Sequence, residues 1–450
     1  MAEPDLPPAS SQDGGPSQMT VIRPVVCLAC GCLCDDLAVS MQGETVVAVE
    51  NGCDAADTWF RGVAAGESGV PVAMVDECPA TFEEAASRAG ELLAEALAPV
   101  ILGLGGSTNQ TVAAAARLAD RIGAVLDPWS GPLPAARASA LARTGRVSAT
   151  LGEVKNRADV VVFWGADPVQ THSRHWERYS VAPRGRFIPE GRAGRTVLVA
   201  DERKTLTAEQ ADHFVPIDRA REFEILWTLR GVIRGIALNA DRVRNATGME
   251  LEALAEIAGV LRKARYGALF YSPPRDWPSL SGVGAVFEAA HGLVRELNRH
   301  TRFVILGMGE PGNLPGAEAV LAWQTGFPGA IDFAEGHPAS LPRVTTAVDL
   351  LKRFEADVAL VVGGSSLGSP SAVPSGIPVI SIGRADSDEQ ASANVLVRCH
   401  AAVTGLEEAG TALRADGVAL PLRAVRRSRF PSEREWLEAI HQSVKSRLNS

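Results

Sequence analysis

The chain has 450 residues, 46% apolar and 22% charged, an ordinary globular composition with mass for about three domains. A net charge of −9 without a dense Lys/Arg cluster excludes a nucleic-acid grip, and no apolar run reaches the roughly 20 residues of a membrane helix. Residues 1–20 are rich in Pro, Ser and Gly, with neither a basic n-region nor an apolar h-region; they read as a disordered tail, which makes the cytoplasm the expected compartment.

Cysteine usage is uneven. Cys27-Leu-Ala-Cys30-Gly-Cys32-Leu-Cys34-Asp-Asp36 is followed by Cys53, whereas Cys78 and Cys399 stand alone. Such a cluster seldom forms disulfides in the cytoplasm. Cys27, Cys30, Cys34 and Cys53 suit either a [4Fe-4S] cluster or a tetrahedral zinc, with Cys32 spare. Free buried thiols are the simpler alternative, because Cys packs as a small hydrophobe. The segment Val46 to Val49 is expected to pair with Leu37 to Val39, in a small module that ends near Pro79.

Thr81 then starts a helix, with Glu83 and Glu84 at its positive end. Pro99 to Leu104 reads as a buried strand, Gly105-Gly-Ser-Thr108 as a turn, and Asn109 to Ile122 as a helix. This order can cradle an anion. Without Gly-Lys-Ser/Thr or a complete dinucleotide fingerprint, a structural turn is the expected role.

Val160 to Trp164 is apolar without alternation, as in a parallel strand covered on both faces. Gly165-Ala-Asp-Pro168 breaks it and releases His172, Arg174 and His175 where open α/β sheets bind ligands. The competing reading is that both histidines only line a loop. Arg195 to Ala200 is another buried strand, and it delivers Asp201, Arg203 and Thr205 to the same height. Helices are expected over Glu222 to Ile236, Glu250 to Arg265 and Val286 to Leu297. Strands are expected over Leu269 to Tyr271, Phe303 to Leu306, Ala356 to Val362 and Pro378 to Ile382. Alternation of this kind means an α/β protein with doubly wound parallel sheets. The Pro/Gly-rich stretch from Pro311 to Pro342 reads as a long irregular excursion.

The sequence resembles the B-type subunits of formylmethanofuran dehydrogenases, and more closely their relative in the bacterial formyltransferase/hydrolase complex. The likeness spans about residues 21 to 430. It rests on the cysteine motif above, on Gly152-Glu-Val-Lys-Asn-Arg-Ala-Asp-Val-Val-Val-Phe-Trp-Gly165 and on His172-Ser-Arg-His175. Asp201-Glu-Arg-Lys-Thr205, Trp323-Gln-Thr-Gly-Phe-Pro-Gly-Ala-Ile-Asp-Phe333 and Gly410-Thr-Ala-Leu-Arg-Ala-Asp-Gly417 add to it. The resemblance implies a molybdopterin oxidoreductase fold, a [4Fe-4S] cluster on the four cysteines, and a tungsten or molybdenum bis-pterin guanine dinucleotide that interconverts formate and carbon dioxide. It also implies a layout: a cysteine-rich module at 21–78, a discontinuous α/β domain from 79–134 and 266–425, an inserted α/β domain at 135–265, and a C-terminal helix or tail at 426–450. His172, Arg174, His175, Asp201, Arg203 and Thr205 fall where the resemblance puts pocket contacts.

The departures bear on activity. Dehydrogenases of the family ligate their metal with a cysteine (or selenocysteine) followed by His-Gly-Pro, at a fixed distance before Gly-Glu-Val-Lys. Counting back without gaps puts Leu133 at the cysteine and Pro134 at the histidine. Leu has no donor atom, and Pro no proton to shuttle. No cysteine stands anywhere between Asp127 and Ala136. Gly363-Gly-Ser-Ser366 also lacks an expected acidic residue. The expectation is a non-catalytic scaffold subunit that has lost the metal-pterin and binds A-, C- and D-type subunits of a formyltransferase/hydrolase complex, its pocket vestigial. The alternatives are an active tungsten or molybdenum subunit, and a zinc- or nucleotide-binding regulator.

Overall fold

The computed structural model describes residues 19–62, 69–129, 132–273, 280–341, 344, 346–363, 373–385 and 395–449, with the backbone alone at 132, 133, 280 and 281. Two parallel-centred sheets dominate. The larger has nine strands in the order Ala339–Ser340, Ile331–Asp332, Val125–Asp127, Pro99–Gly103, Val358–Val362, Val379–Gly383, Val395–His400, Ala73–Val75, Cys78–Ala80. Its five central members run parallel and its edges are antiparallel. The second sheet has five strands, all parallel: His213–Pro216, Thr196–Asp201, Val160–Trp164, Gly267–Tyr271, Phe303–Gly307. Uniform burial of Val160–Trp164 and Gly267–Tyr271 is why their sequences do not alternate.

Helices cover the faces because their apolar residues recur at helical spacing. Phe82–Glu95 begins at a capping box on Thr81 and Glu84, as Thr81 and its acidic first turn lead one to expect. Asn109–Ile122 is capped by Thr108 and closed by Gly123 at a φ of 66°. Glu433–Leu448, capped by Ser432, buries Trp436, Leu437, Ile440 and Val444 in the same apolar group as these two helices.

At the N-terminus Met19–Val25, Leu37–Gln42 and Thr45–Glu50 make a three-stranded antiparallel sheet, with Val39 opposite Val49. The expected tail lies outside the described residues except for Met19 and Thr20, which belong to this sheet.

Sheet membership shifts both expected limits of the larger units. Ala73–Val75 and Cys78–Ala80 join the nine-stranded sheet through Val395–His400, so the cysteine module gives way before 78. Gly267–Tyr271 and Phe303–Gly307 pair in the five-stranded sheet, which the chain therefore leaves after 307 and not at 265. The excursion from Pro311 to Pro342 is also more regular than expected. Leu314–Thr325 is a helix, since its Pro315 sits in the first turn, where no backbone donor is lost, and Gly326 ends it at a φ of 86°. No helix among the described residues is long and apolar enough to cross a membrane.

Candidate functional site

The carboxyl ends of the nine-stranded sheet open onto a cavity of about 510 Å³. One wall is Leu28, Ala29, Ala55, Thr58 and Trp59 of the cysteine module; the other is Gly106, Gly363, Arg384, Ala402 to Thr404 and Glu433. Asn313 holds the turn after Pro99–Gly103 in place. Its Nδ2 donates to the Ser107 carbonyl at 2.8 Å, its N–H to the Gly105 carbonyl at 2.6 Å, and its Oδ1 accepts the Leu413 N–H at 2.8 Å. A fully buried amide satisfied on three sides fixes a loop that the sequence presents only as glycines.

Glu433 lines the cavity, with the Glu408 carboxyl beside it. Glu433 is 6% exposed and its Oε2 has no hydrogen-bond partner. Burial, aided by the neighbouring Glu408, pushes its carboxyl up to about 8. Burial pushes Glu408 up to about 7, against weak hydrogen bonds from Thr404 at 3.3 Å and Thr111 at 3.4 Å. Both groups favour the proton because burial disfavours the ionised carboxylate, and for Glu433 the neighbouring Glu408 adds like charge. Nothing in the local sequence signals this pair, whose members are 25 residues apart.

The cysteines gather in one neighbourhood. Cys27, Cys32 and Cys34 are buried, with Cys30 and Cys53 packed against the same apolar group. Burial pushes the Cys27 thiol up to about 12, with Cys30, Cys34 and Cys53 close enough to oppose its ionisation. Cys34 is held near 6 by a hydrogen bond from Cys32 and by the guanidinium groups of Arg174 and Arg178. Among the described residues no three Cys, His, Asp or Glu side chains converge on one point, as a single ion with sulfurs about 2.3 Å away would need.

The six residues of the expected pocket divide into different roles. Arg174 binds Asp36 through two bonds of 2.6 and 2.7 Å, and Arg178 reaches Asp35 at 2.6 Å and also Asp36. Both thus clamp the cysteine loop. His175 is buried in the core, its ring edge-on to Phe270 with centroids 4.5 Å apart and its Nδ1 sharing a 3.0 Å bond with Ser180. Burial, with His172 adding a little, depresses it to about 3. His172 lies against the backbone of Met308 and Gly309, its Nδ1 sharing a 2.8 Å bond with Thr171. Thr205 caps the short helix Leu206–Glu209, Arg203 is exposed, and Asp201 at the strand end is raised by burial and faces Arg219.

That arginine was not evident in the sequence. Arg219 pairs with fully buried Glu222 at 2.9 Å and donates to the Ser272 carbonyl at 2.6 Å. It lies so close over Gly165 (φ 60°) that no Cβ would fit there, and Trp164 and Tyr271 face Glu222.

The ligand stretch has a second register. Gly131-Pro132 matches the family's Gly-Pro when the count is moved by four, which places Trp129 and Ser130 at the metal-ligand and histidine positions. Trp129 is buried, stacked on Gly329, and donates its indole N–H to Glu318 at 2.9 Å. Asp127 pins it, accepting the N–H groups of Trp129, Ala330 and Ala347. The Leu133 side chain, like Gly364 to Ser366, lies outside the described residues. Neither register supplies a sulfur or imidazole. The ligand stretch does not fit a tungsten or molybdenum ion, since neither register carries a donor for it at the ligand position.

Two parallel-centred sheets with a cysteine-rich module packed against their carboxyl ends define a molybdopterin oxidoreductase fold. Acetylene hydratase from Pelobacter acetylenicus shares it, with a TM-score of 0.60 at 11% identity over 94% of this chain and 69% of that one. The formyltransferase/hydrolase complex FhcABCD from Methylorubrum extorquens, solved with methylofuran, contains a chain that superposes with a TM-score of 0.70 at 26% identity, over 84% of this chain and all of that one. No family model matches the sequence. The B-type subunit of tungsten-containing formylmethanofuran dehydrogenase 2 from Methanocaldococcus jannaschii is 34% identical over 415 residues, 90% of this chain and 94% of its own length. The B-type subunit of the Fhc complex of Methylorubrum extorquens is 28% identical over 388 residues, 82% of this chain and 96% of its own. The chain belongs to the family of B-type formylmethanofuran dehydrogenase subunits.

Proposed function

We propose that the chain is a non-catalytic scaffold subunit of a formyltransferase/hydrolase complex in tetrahydromethanopterin-linked oxidation of formaldehyde to formate. One observation carries this reading: the family's metal-ligand position is Leu133 or Trp129, and neither has a donor for tungsten or molybdenum. A fold keeps its shape after its reactive site is gone. The partners are subunits of the A, C and D type, and the cytoplasm is the proposed compartment. Cys27, Cys30, Cys34 and Cys53 would hold a [4Fe-4S] cluster, which when bound supplies an electron path.

A second reading, an active tungsten or molybdenum formylmethanofuran dehydrogenase subunit, is favoured by the 34% identity to a tungsten-containing enzyme's subunit. One preparation separates the two. The native complex, purified anaerobically through a tag on this chain, is assayed for viologen reduction by formate and for bound metals. Background dye reduction with neither tungsten nor molybdenum supports the scaffold. Reduction above background with stoichiometric metal overturns it. Leu133→Cys alone restores no activity, because the cofactor must also be made and seated.

A further inference from the structure

A short loop at the amino ends of the five-stranded sheet is held more tightly than its surface position requires. It meets the turn before Val160–Trp164 and leads into Thr196–Asp201, at the end of the sheet away from the carboxyl ends. Arg195, only 4% exposed, ties the two segments together. Its Nε donates to the Ala158 carbonyl at 3.1 Å, its Nη1 to those of Val181 and Pro183 at 2.9 and 2.7 Å, and its Nη2 to that of Lys155 at 2.7 Å. Gly185 and Ile188 exchange backbone bonds of 3.0 and 3.1 Å across the tip. Asn156 holds that tip, its Oδ1 accepting the Arg186 N–H at 2.9 Å and its carbonyl the Phe187 N–H at 3.0 Å. A Cβ on Gly185 would sit 2.2 Å from the Lys155 oxygen, so the close approach depends on glycine.

The tip presents Phe187, which is 50% exposed. The Arg157 guanidinium lies 4.7 Å from its ring centroid, and that of Arg186 lies 5.7 Å away. The segments that meet here, 153–157 and 184–190, carry Lys155, Arg157, Arg184 and Arg186 against Glu153 and Glu190. They make a positive patch on a chain whose net charge is −9. Arg157 reaches Glu153 only at 3.6 Å, with both side chains half exposed. Aromatic and arginine side chains are frequent anchors of protein interfaces, and a loop already fixed in place loses little entropy when it docks.

We propose that Phe187 and its flanking arginines form a docking knob for a protein partner that offers an apolar slot rimmed by carboxylates. The partner is another subunit of the formyltransferase/hydrolase complex, an identification that rests on the scaffold reading. The ring fills the slot while the guanidinium groups meet the carboxylates, which sets the register and makes association salt-dependent. The knob uses none of the residues that line the cavity.

The test uses the native complex, purified through a tag on this chain. Arg186→Lys keeps the charge and adds an amine, which a zero-length carbodiimide joins to a carboxylate in direct contact. Mass spectrometry is expected to find residue 186 joined to an Asp or Glu of a different polypeptide. Phe187→Ala and Arg186→Glu are each expected to lower retention of that polypeptide roughly tenfold or more in about 0.15 M salt. The isolated variants should keep the parent's thermal midpoint, because these side chains lie outside the core. If either fails to fold, the Arg186→Lys link decides alone. A link only to a second copy of this chain, release of the partner by nuclease, no intermolecular link, or unchanged subunit composition in the folded variants overturns the proposal. Dye reduction with stoichiometric metal overturns the scaffold reading and leaves the link standing. A missing link in an intact, metal-free complex overturns the docking surface alone, and a preparation without any other polypeptide overturns both.

Discussion

His175 shows how a residue that looks like a ligand can be a core group. Its pKa falls from 6.5 to about 3 because burial disfavours the imidazolium. The neutral form therefore contributes stability that is complete above 6.5 and is lost as pH falls toward 3, at up to about 1.4 kcal/mol per unit. The raised acids act the other way. Asp127 at about 7, Glu222 at about 7, Glu408 at about 7 and Glu433 at about 8 contribute stability that is complete below the ordinary carboxylate range of about 4 and is lost as pH climbs from there to those values. Urea midpoints should fall from pH 6.5 to 8.5, where the acids act and His175 does not, and His175→Gln should alter the pH dependence below 6.5 alone. Exposed Arg203→Ala should change stability by less than about 0.5 kcal/mol. The positions of His172, Arg174 and His175 after a buried strand were legible in the sequence. Their separate roles were not, because burial and the choice of partner depend on Asp36, Met308 and Phe270, which come from distant parts of the chain.

Among the elements, the cysteine loop and the turn after Phe303–Gly307 are held against each other by missing side chains. A Cβ on Gly31 would sit 2.5 Å from both the Gly309 carbonyl carbon and the Met308 oxygen, and the Gly312 N–H donates to the Leu28 carbonyl at 2.9 Å. Gly31→Ala must push these backbones apart. It should cost about 2 kcal/mol or more and expose Cys27, Cys32 and Cys34, which maleimide labelling of the folded protein measures. Arg174→Ala unpins the same loop from its far side. The pair is partly exposed, so the expected loss is only about 1 to 2 kcal/mol, read from urea denaturation. Strand and helix periodicity showed most of the elements that build these contacts. Leu314–Thr325 was hidden because Pro315 and Gly316 read as breakers, although a proline in the first turn costs nothing there. Asp54–Arg61 escaped notice too, since it is short and its buried face consists of Ala56 and Phe60.

For the whole molecule, the chain builds the first strands of the large sheet, crosses to complete the smaller one, and returns at residue 308 to finish the larger. If the scaffold reading holds, substitutions at His172 or His175 reduce formyl transfer only as far as they release subunits. Activity and elution volume of the complex on a sizing column should then change together. Large sheets and their order were readable from buried apolar runs, whereas the return point was not, since no composition change marks 265 or 307.

The meeting of Gly31 with Gly309 also has a consequence in time. These glycines are roughly 280 residues apart, and a ribosome adds about 5 to 20 residues per second. For about 15 to 60 s during synthesis, therefore, the thiols of the nascent N-terminus have no turn to close over them. Any iron or sulfide they carry can be delivered in that interval, before the Gly312 N–H meets the Leu28 carbonyl.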